Sequence, residues 1–88
     1  MLKFQVHEHV TDADVVAALR SMLYINETED CWEPDLNRWR LDSVNNTWLH
    51  RDGDRQYKLN FRYHDAEFTA AFATVFARCF GAKILTAD

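Results

Sequence analysis

Two histidines near the amino terminus have the types and spacing of a metal-ligand pair. His7 and His9 are separated by one residue, and on a strand such side chains point to the same face. A zinc site needs three or four ligands, so Cys31, His50 or His64 would have to complete it. No regular spacing connects those residues to the pair. His7 and His9 are therefore weak metal candidates, and two exposed histidines at a strand end are the commoner outcome.

The cysteines offer no pattern of nucleophilic catalysis. Cys31 and Cys79 form no CxxC pair, and Cys31 lies among acidic residues, which disfavour the reactive thiolate. The chain has only two glycines, so it contains no glycine-rich loop of the kind that holds phosphates. The sequence predicts no cofactor and leans against an enzyme.

A cluster of cations is the stronger signal. Six of the ten lysines and arginines fall in residues 38–64, which carry a net charge of +3, whereas residues 1–37 carry −6. Alternation along the predicted strands places one set of basic residues on a single solvent-exposed face, with Arg51 nearby; the set is Arg38, Arg40, Lys58, Arg62 and His64. Such a face could contact phosphates or an acidic protein surface.

Two features disfavour nucleic acid as the partner of this face. The whole chain has a net charge of −4. In addition, the aromatic residues of residues 55–63 alternate onto the opposite face, unlike the aromatics of a base-stacking sheet. A protein partner, including a second copy of this chain, is therefore the preferred expectation.

The cations lie on a predicted three-stranded antiparallel meander. In residues 55–63 apolar and polar side chains alternate, as in a half-buried strand, and Trp39 and Leu41 begin a similar run. Turn signals at residues 45–46 and 52–54 enclose Thr47–Arg51, which is expected to form the middle strand. Leu2, Phe4 and Val6 predict another strand at the amino terminus.

Two helices are predicted to cover the apolar face of this sheet. The first begins after Thr11, a good N-cap, and continues to about residue 25. The second runs from a cap at Asp65 to a stop at Gly81. It carries a stripe of phenylalanines on one side and a stripe of alanines on the other. Because it is apolar nearly all round, it is expected to be buried on more than one side, either by the first helix or by a second subunit.

The long connection over residues 26–37 is expected to be irregular. It holds five acidic residues and Pro34, and Trp32 is expected to pin it to the domain. A solvated acidic loop is the simpler interpretation, and a docking surface for a basic partner is the alternative.

The 88 residues are expected to form a single domain of the α+β class. The predicted order β-α-β-β-β-α-β describes a two-layer sandwich with a mainly antiparallel sheet and two helices on one face, with a ferredoxin-like variant possible. Neither a membrane segment nor a signal peptide is indicated, so a cytoplasmic location is the default expectation.

These patterns favour a small, non-enzymatic protein–protein interaction domain that forms a homo-oligomer, most simply a dimer. Phe72, Phe76 and Phe80 are expected to anchor the core or an interface, and Trp32 and the cations of the meander are candidate contact residues. Two alternatives stay open. One is a nucleic-acid-binding domain using the basic face, and the other is a metal-binding protein or metal-dependent enzyme using His7 and His9.

Overall fold

The computed structural model of this chain describes residues 1–23, 25, 31–42, 46–60 and 66–87. Within these ranges the chain forms two α-helices and one six-stranded sheet whose neighbouring strands are all antiparallel. In chain order the elements are β1 (Leu2–Gln5), α1 (Asp12–Met22), β2 (Cys31–Glu33), a 3-10 turn (Pro34–Leu36), β3 (Arg38–Asp42), β4 (Thr47–Arg51), β5 (Gln56–Asn60), α2 (Ala66–Phe80) and β6 (Lys83–Ala87). The predicted α+β sandwich is confirmed.

The sheet has the strand order β2-β3-β4-β5-β1-β6. The amino-terminal strand β1 lies between β5 and β6, which are connected by α2, and this is the split β-α-β arrangement of ferredoxin-like folds. Strands β3 and β2 extend the sheet beyond β4. The ferredoxin-like variant expected from the element order is therefore present, with two additional strands.

One face of the sheet forms the core. Leu2 of β1, Leu59 of β5 and Leu49 of β4 are directly opposite one another across the strands, and all three are fully buried. Phe76 of α2 packs edge-on against Phe4, with ring centroids 4.5 Å apart, and Val15 and Leu19 of α1 join the same buried cluster. Both helices therefore cover this core face, and the opposite face, called here the open face, lacks that cover.

The helix ends follow the sequence signals. Asp14 donates its backbone N–H to Oγ1 of Thr11 at 3.2 Å, and its carboxylate accepts the backbone N–H of Thr11 at 3.0 Å, which completes a capping box. At the end of α2, Gly81 has a φ of 58°, a left-handed conformation that favours glycine. The predicted cap at Asp65 lies outside the described residues.

The connection between α1 and β3 contains a strand that the sequence did not predict. Cys31–Glu33 pairs with β3 at the sheet edge, and the rings of Trp32 and Trp39 lie 4.3 Å apart. Only three residues pair before Pro34 begins the 3-10 turn, so this strand is too short to show a clear alternation of apolar residues. The expected irregular path is thus wrong for this part of residues 26–37.

Candidate interaction surfaces

A row of basic side chains crosses the open face. Strand register aligns Lys3 with Lys58, Lys58 with His50, and His50 with Arg38. These four residues, called here the cation row, belong to four adjacent strands and span about 14 Å at the usual strand spacing. Lys3 and Lys58 are like charges directly opposite each other, an arrangement that destabilises a sheet.

Part of the cation row is already neutralised. Lys3 Nζ lies 2.9 Å from a carboxylate oxygen of Asp52, and Arg38 Nε donates to Glu33 at 3.2 Å. Among the described residues Lys58 has no ion pair within 4.0 Å. Burial, followed by the charges of Lys58 and Arg38, lowers the pKa of His50, and this is the sign expected in a positive local field.

Trp48 lies beside the cation row on the same open face. The guanidinium carbon of Arg38 is 3.8 Å from the centroid of a Trp48 ring, a cation–π contact. Arg40 is directly opposite Trp48 in the register and donates through Nη2 to Cys31 Sγ at 2.8 Å. Its Nε is buried and has no hydrogen-bond partner in the described part of the chain. The open face thus combines an aromatic ring, a guanidinium held over that ring and a second, half-buried arginine.

The sequence identified most of these cations and missed the tryptophan. Arg38, Arg40 and Lys58 share the open face, and Arg62 lies outside the described residues. In Thr47–Arg51 both Trp48 and Leu49 are apolar, so alternation alone leaves open which of them faces the core. The burial of Leu49 turns Trp48 outward.

Arg51 is not near the open face, in contrast to the expectation. It is opposite Tyr57, whose side chain is in the core, and it forms an ion pair with Asp12 at the start of α1. Its guanidinium carbon lies 5.4 Å from the Trp39 ring centroid. Arg51 therefore connects the helix layer to the sheet instead of adding to the basic surface.

Tyr57 completes this contact by donating its hydroxyl to Asp12. Burial, strengthened by the Asp12 carboxylate, raises the pKa of Tyr57 well above its ordinary value of 10.0. The folded protein then holds the phenolic proton more tightly than the unfolded chain does. The resulting stability is complete below pH 10 and is lost as the pH rises above that value.

We expect Tyr57→Phe to reduce the loss of stability at alkaline pH. Between pH 10 and the raised pKa of Tyr57, the free energy of unfolding of the variant should fall less steeply, by up to about 1.4 kcal/mol per pH unit. Urea unfolding at a series of pH values measures how the free energy of unfolding depends on pH in the variant and in the unsubstituted protein. Parallel slopes for the variant and the unsubstituted protein would contradict the role given to this phenol.

The second candidate surface is the outer side of α2. Phe68 is 44% exposed and Val75 is 51% exposed, and with Met22 they line a shallow apolar groove of about 380 Å³ between the helices. Phe72 and Phe76 are buried, and Phe80 is half-buried against the core. These three predicted anchors therefore belong to the core, whereas Phe68 and Val75, members of the same predicted apolar stripe, are exposed.

The predicted alanine stripe of α2 is likewise partly buried and partly exposed. Ala73 is buried and Ala77 is half-buried, whereas Ala66 and Ala70 are exposed. At the centre of the outer side, four exposed residues follow at helical spacing: Glu67, Ala71, Thr74 and Arg78. The Thr74 hydroxyl donates to the backbone carbonyl of Ala70 at 3.0 Å, which leaves little unsatisfied polarity between the two charged ends.

The two amino-terminal histidines are outside the strand on which their pairing was predicted. Strand β1 ends at Gln5, and His9 lies in the following turn, 3.7 Å from a carboxylate oxygen of Glu8. Both histidines are exposed. In the described ranges no three histidine, cysteine or acidic side chains come close enough together to hold a metal ion. Trp32, on the edge strand β2, is 37% exposed, and its ring contacts that of Trp39 at a tilted angle of 44°.

Over the same described ranges, no helix has the length and apolar character that crossing a membrane requires.

Comparison with known proteins adds no relative to this description. No protein-family model, no curated protein and no solved structure matches this chain.

Proposed function

We propose that this chain is a protein–protein interaction domain that forms a homodimer through the outer side of α2. The observation that carries the proposal is the exposure of Phe68 and Val75 beside the small residues Ala70 and Ala71. Contiguous exposed apolar surface in a soluble domain commonly marks an interaction site. The alanines would let a second helix approach closely, while the two larger side chains would supply the buried area.

The charges at the two ends of this surface fit a second copy of the same helix. Glu67 and Arg78 are eleven positions apart, or about 16 Å along a helix, so they are too far apart to pair with each other. In a two-fold dimer each patch meets its own copy. If the two α2 helices cross antiparallel near Ala71 and Thr74, each Glu67 meets Arg78 of the second copy, and the dimer contains this ion pair twice.

Val75→Asp is expected to convert the dimer into a monomer. Two unpaired carboxylates buried at the interface should weaken association about 100-fold or more. The fold should be retained because half of the Val75 side chain is already exposed. Light scattering after size exclusion measures the mass, at low and at high salt, and far-ultraviolet circular dichroism reports the fold.

Leu36→Asp is the matched control. Leu36 is 53% exposed and lies on the 3-10 turn away from α2, so the same charge there should leave the mass unchanged. A monomeric unsubstituted protein at every tested concentration would contradict the proposal. So would equal masses for the Val75→Asp variant and the unsubstituted protein.

A further inference from the structure

We propose that the open face of the sheet binds single-stranded nucleic acid, with phosphates along the cation row and a base stacked on the Trp48–Arg38 pair. This surface lies on the opposite side of the sheet from α2. The inference is therefore separate from the proposed dimer, and a single protein could have both properties.

Charge complementarity supports an anionic ligand. Three cations of the row and Arg40 face the same side of the sheet, and Lys58 has no ion pair among the described residues. The neighbouring acids Asp52 and Glu33 form ion pairs with Lys3 and Arg38, at opposite ends of the row. The hydrogen bond from Lys3, and to a lesser extent the charge of Lys58, lowers the pKa of Asp52, so Asp52 offsets only part of the charge of Lys58. The middle of the row therefore presents positive charge even though the whole chain is acidic, and this charge acts within about 10 Å at moderate salt.

The planar side chains of Trp48 and Arg38 favour a nucleobase, and not a carboxylate-rich peptide, as the ligand of this face. Bases that are not paired stack on tryptophan rings and on arginine guanidinium planes. The Arg38 guanidinium is already held against Trp48 at 3.8 Å from the ring centroid, which orders both planes before a ligand arrives. Arg40, opposite Trp48, adds a further positive charge to this part of the face.

Stacking requires an unpaired base, so the ligand is single-stranded rather than a duplex. In the part of the chain that the structure describes, no helix lies on the open face in the way that a helix enters a major groove. This face resembles in principle the flat sheet surfaces on which splayed bases are bound.

Fluorescence anisotropy with short labelled oligothymidine and oligouridine tests the proposal. With four phosphate contacts, affinity should fall about 50-fold between about 50 and 200 mM salt. Lys58→Ala should weaken binding and reduce the slope of log affinity against log salt by about 0.7. Trp48→Ala should weaken binding roughly 5- to 150-fold. Trp48→Phe, which retains an aromatic ring, should keep most of the affinity that the alanine variant loses.

Arg55→Asn provides the matched control for charge. Arg55 precedes β5 at a φ of 59°, a conformation that asparagine tolerates, so the variant removes one cation without straining the turn. Its affinity for the oligonucleotides should equal that of the unsubstituted protein. Circular dichroism establishes that each variant is folded, and Val75→Asp should bind as well as the unsubstituted protein.

Three results would overturn the proposal. The first is no binding at low salt. The second is equal loss from Arg55→Asn and Lys58→Ala, which would show nonspecific attraction to any cation. The third is displacement of oligothymidine by polyglutamate at equal charge concentration, together with no effect of Trp48→Ala; this result would assign the face to an acidic protein segment.

Discussion

Phe76→Ala is expected to lower the free energy of unfolding by about 3–5 kcal/mol, the usual cost of truncating a buried phenylalanine. The side chain is fully buried. Its ring contacts Phe4 of β1 and lies between Phe72 and Phe80 of the same helix. A domain of this size has a total stability of about 4–13 kcal/mol. The substitution should therefore remove a large share of the stability and could leave the chain largely unfolded at room temperature.

Phe68→Ala is the control for this prediction, because it makes the same chemical change in the same helix. Phe68 is 44% exposed, so its truncation should cost under about 1 kcal/mol in the monomer. Urea unfolding across a range of protein concentrations measures both variants and separates folding from association. Equal losses of stability for the two variants would contradict the division of α2 into a core side and an outer side.

This division shows what the spacing of residues in α2 could and could not predict. The phenylalanines at every fourth position indicated a helix with an apolar stripe, and that helix is present. Successive steps of four residues drift around a helix of 3.6 residues per turn. Phe68 at the start of the series therefore leaves the core, while Phe76 remains at its centre. A list of regularly spaced residues predicts the element but not which members are buried.

For the strands, the corresponding question is which face of the sheet each residue lies on. For β3 and β5 alternation placed each residue on the correct face, because polar and apolar residues strictly alternate there. In β4 the adjacent Trp48 and Leu49 are both apolar, and Arg51 at its end is held on the helix side by Asp12. That ion pair joins residues 39 positions apart. Local pattern carries no information about such a distant partner, so both the open-face tryptophan and the position of Arg51 required the structure.

Reversing one charge on the outer side of α2 is expected to have the second large effect. In the proposed antiparallel dimer, Arg78→Glu changes two attractive contacts with Glu67 into two repulsive ones. Exposed ion pairs contribute about 0.2–1 kcal/mol each, and replacing two attractions by two repulsions of similar size should weaken the dimer roughly 4- to 900-fold. Glu67→Arg should have a similar effect. Sedimentation or light scattering over a dilution series measures the dissociation constant, and high salt should reduce the difference between variants.

A mixture of the two single variants distinguishes most clearly between an antiparallel and a parallel arrangement of the α2 helices. In an equal mixture of the Glu67→Arg and Arg78→Glu proteins, an antiparallel heterodimer places two positive ends opposite two negative ends. The mixture should therefore dimerise more tightly than either variant alone. The double variant with exchanged charges should form a homodimer of nearly the original affinity. In a parallel arrangement like charges would meet in the unsubstituted protein and in every homodimer, so neither single variant should weaken association. Unchanged dimerisation of the Arg78→Glu protein would therefore refute the antiparallel geometry, while the effect of Val75→Asp would still report whether α2 is the interface.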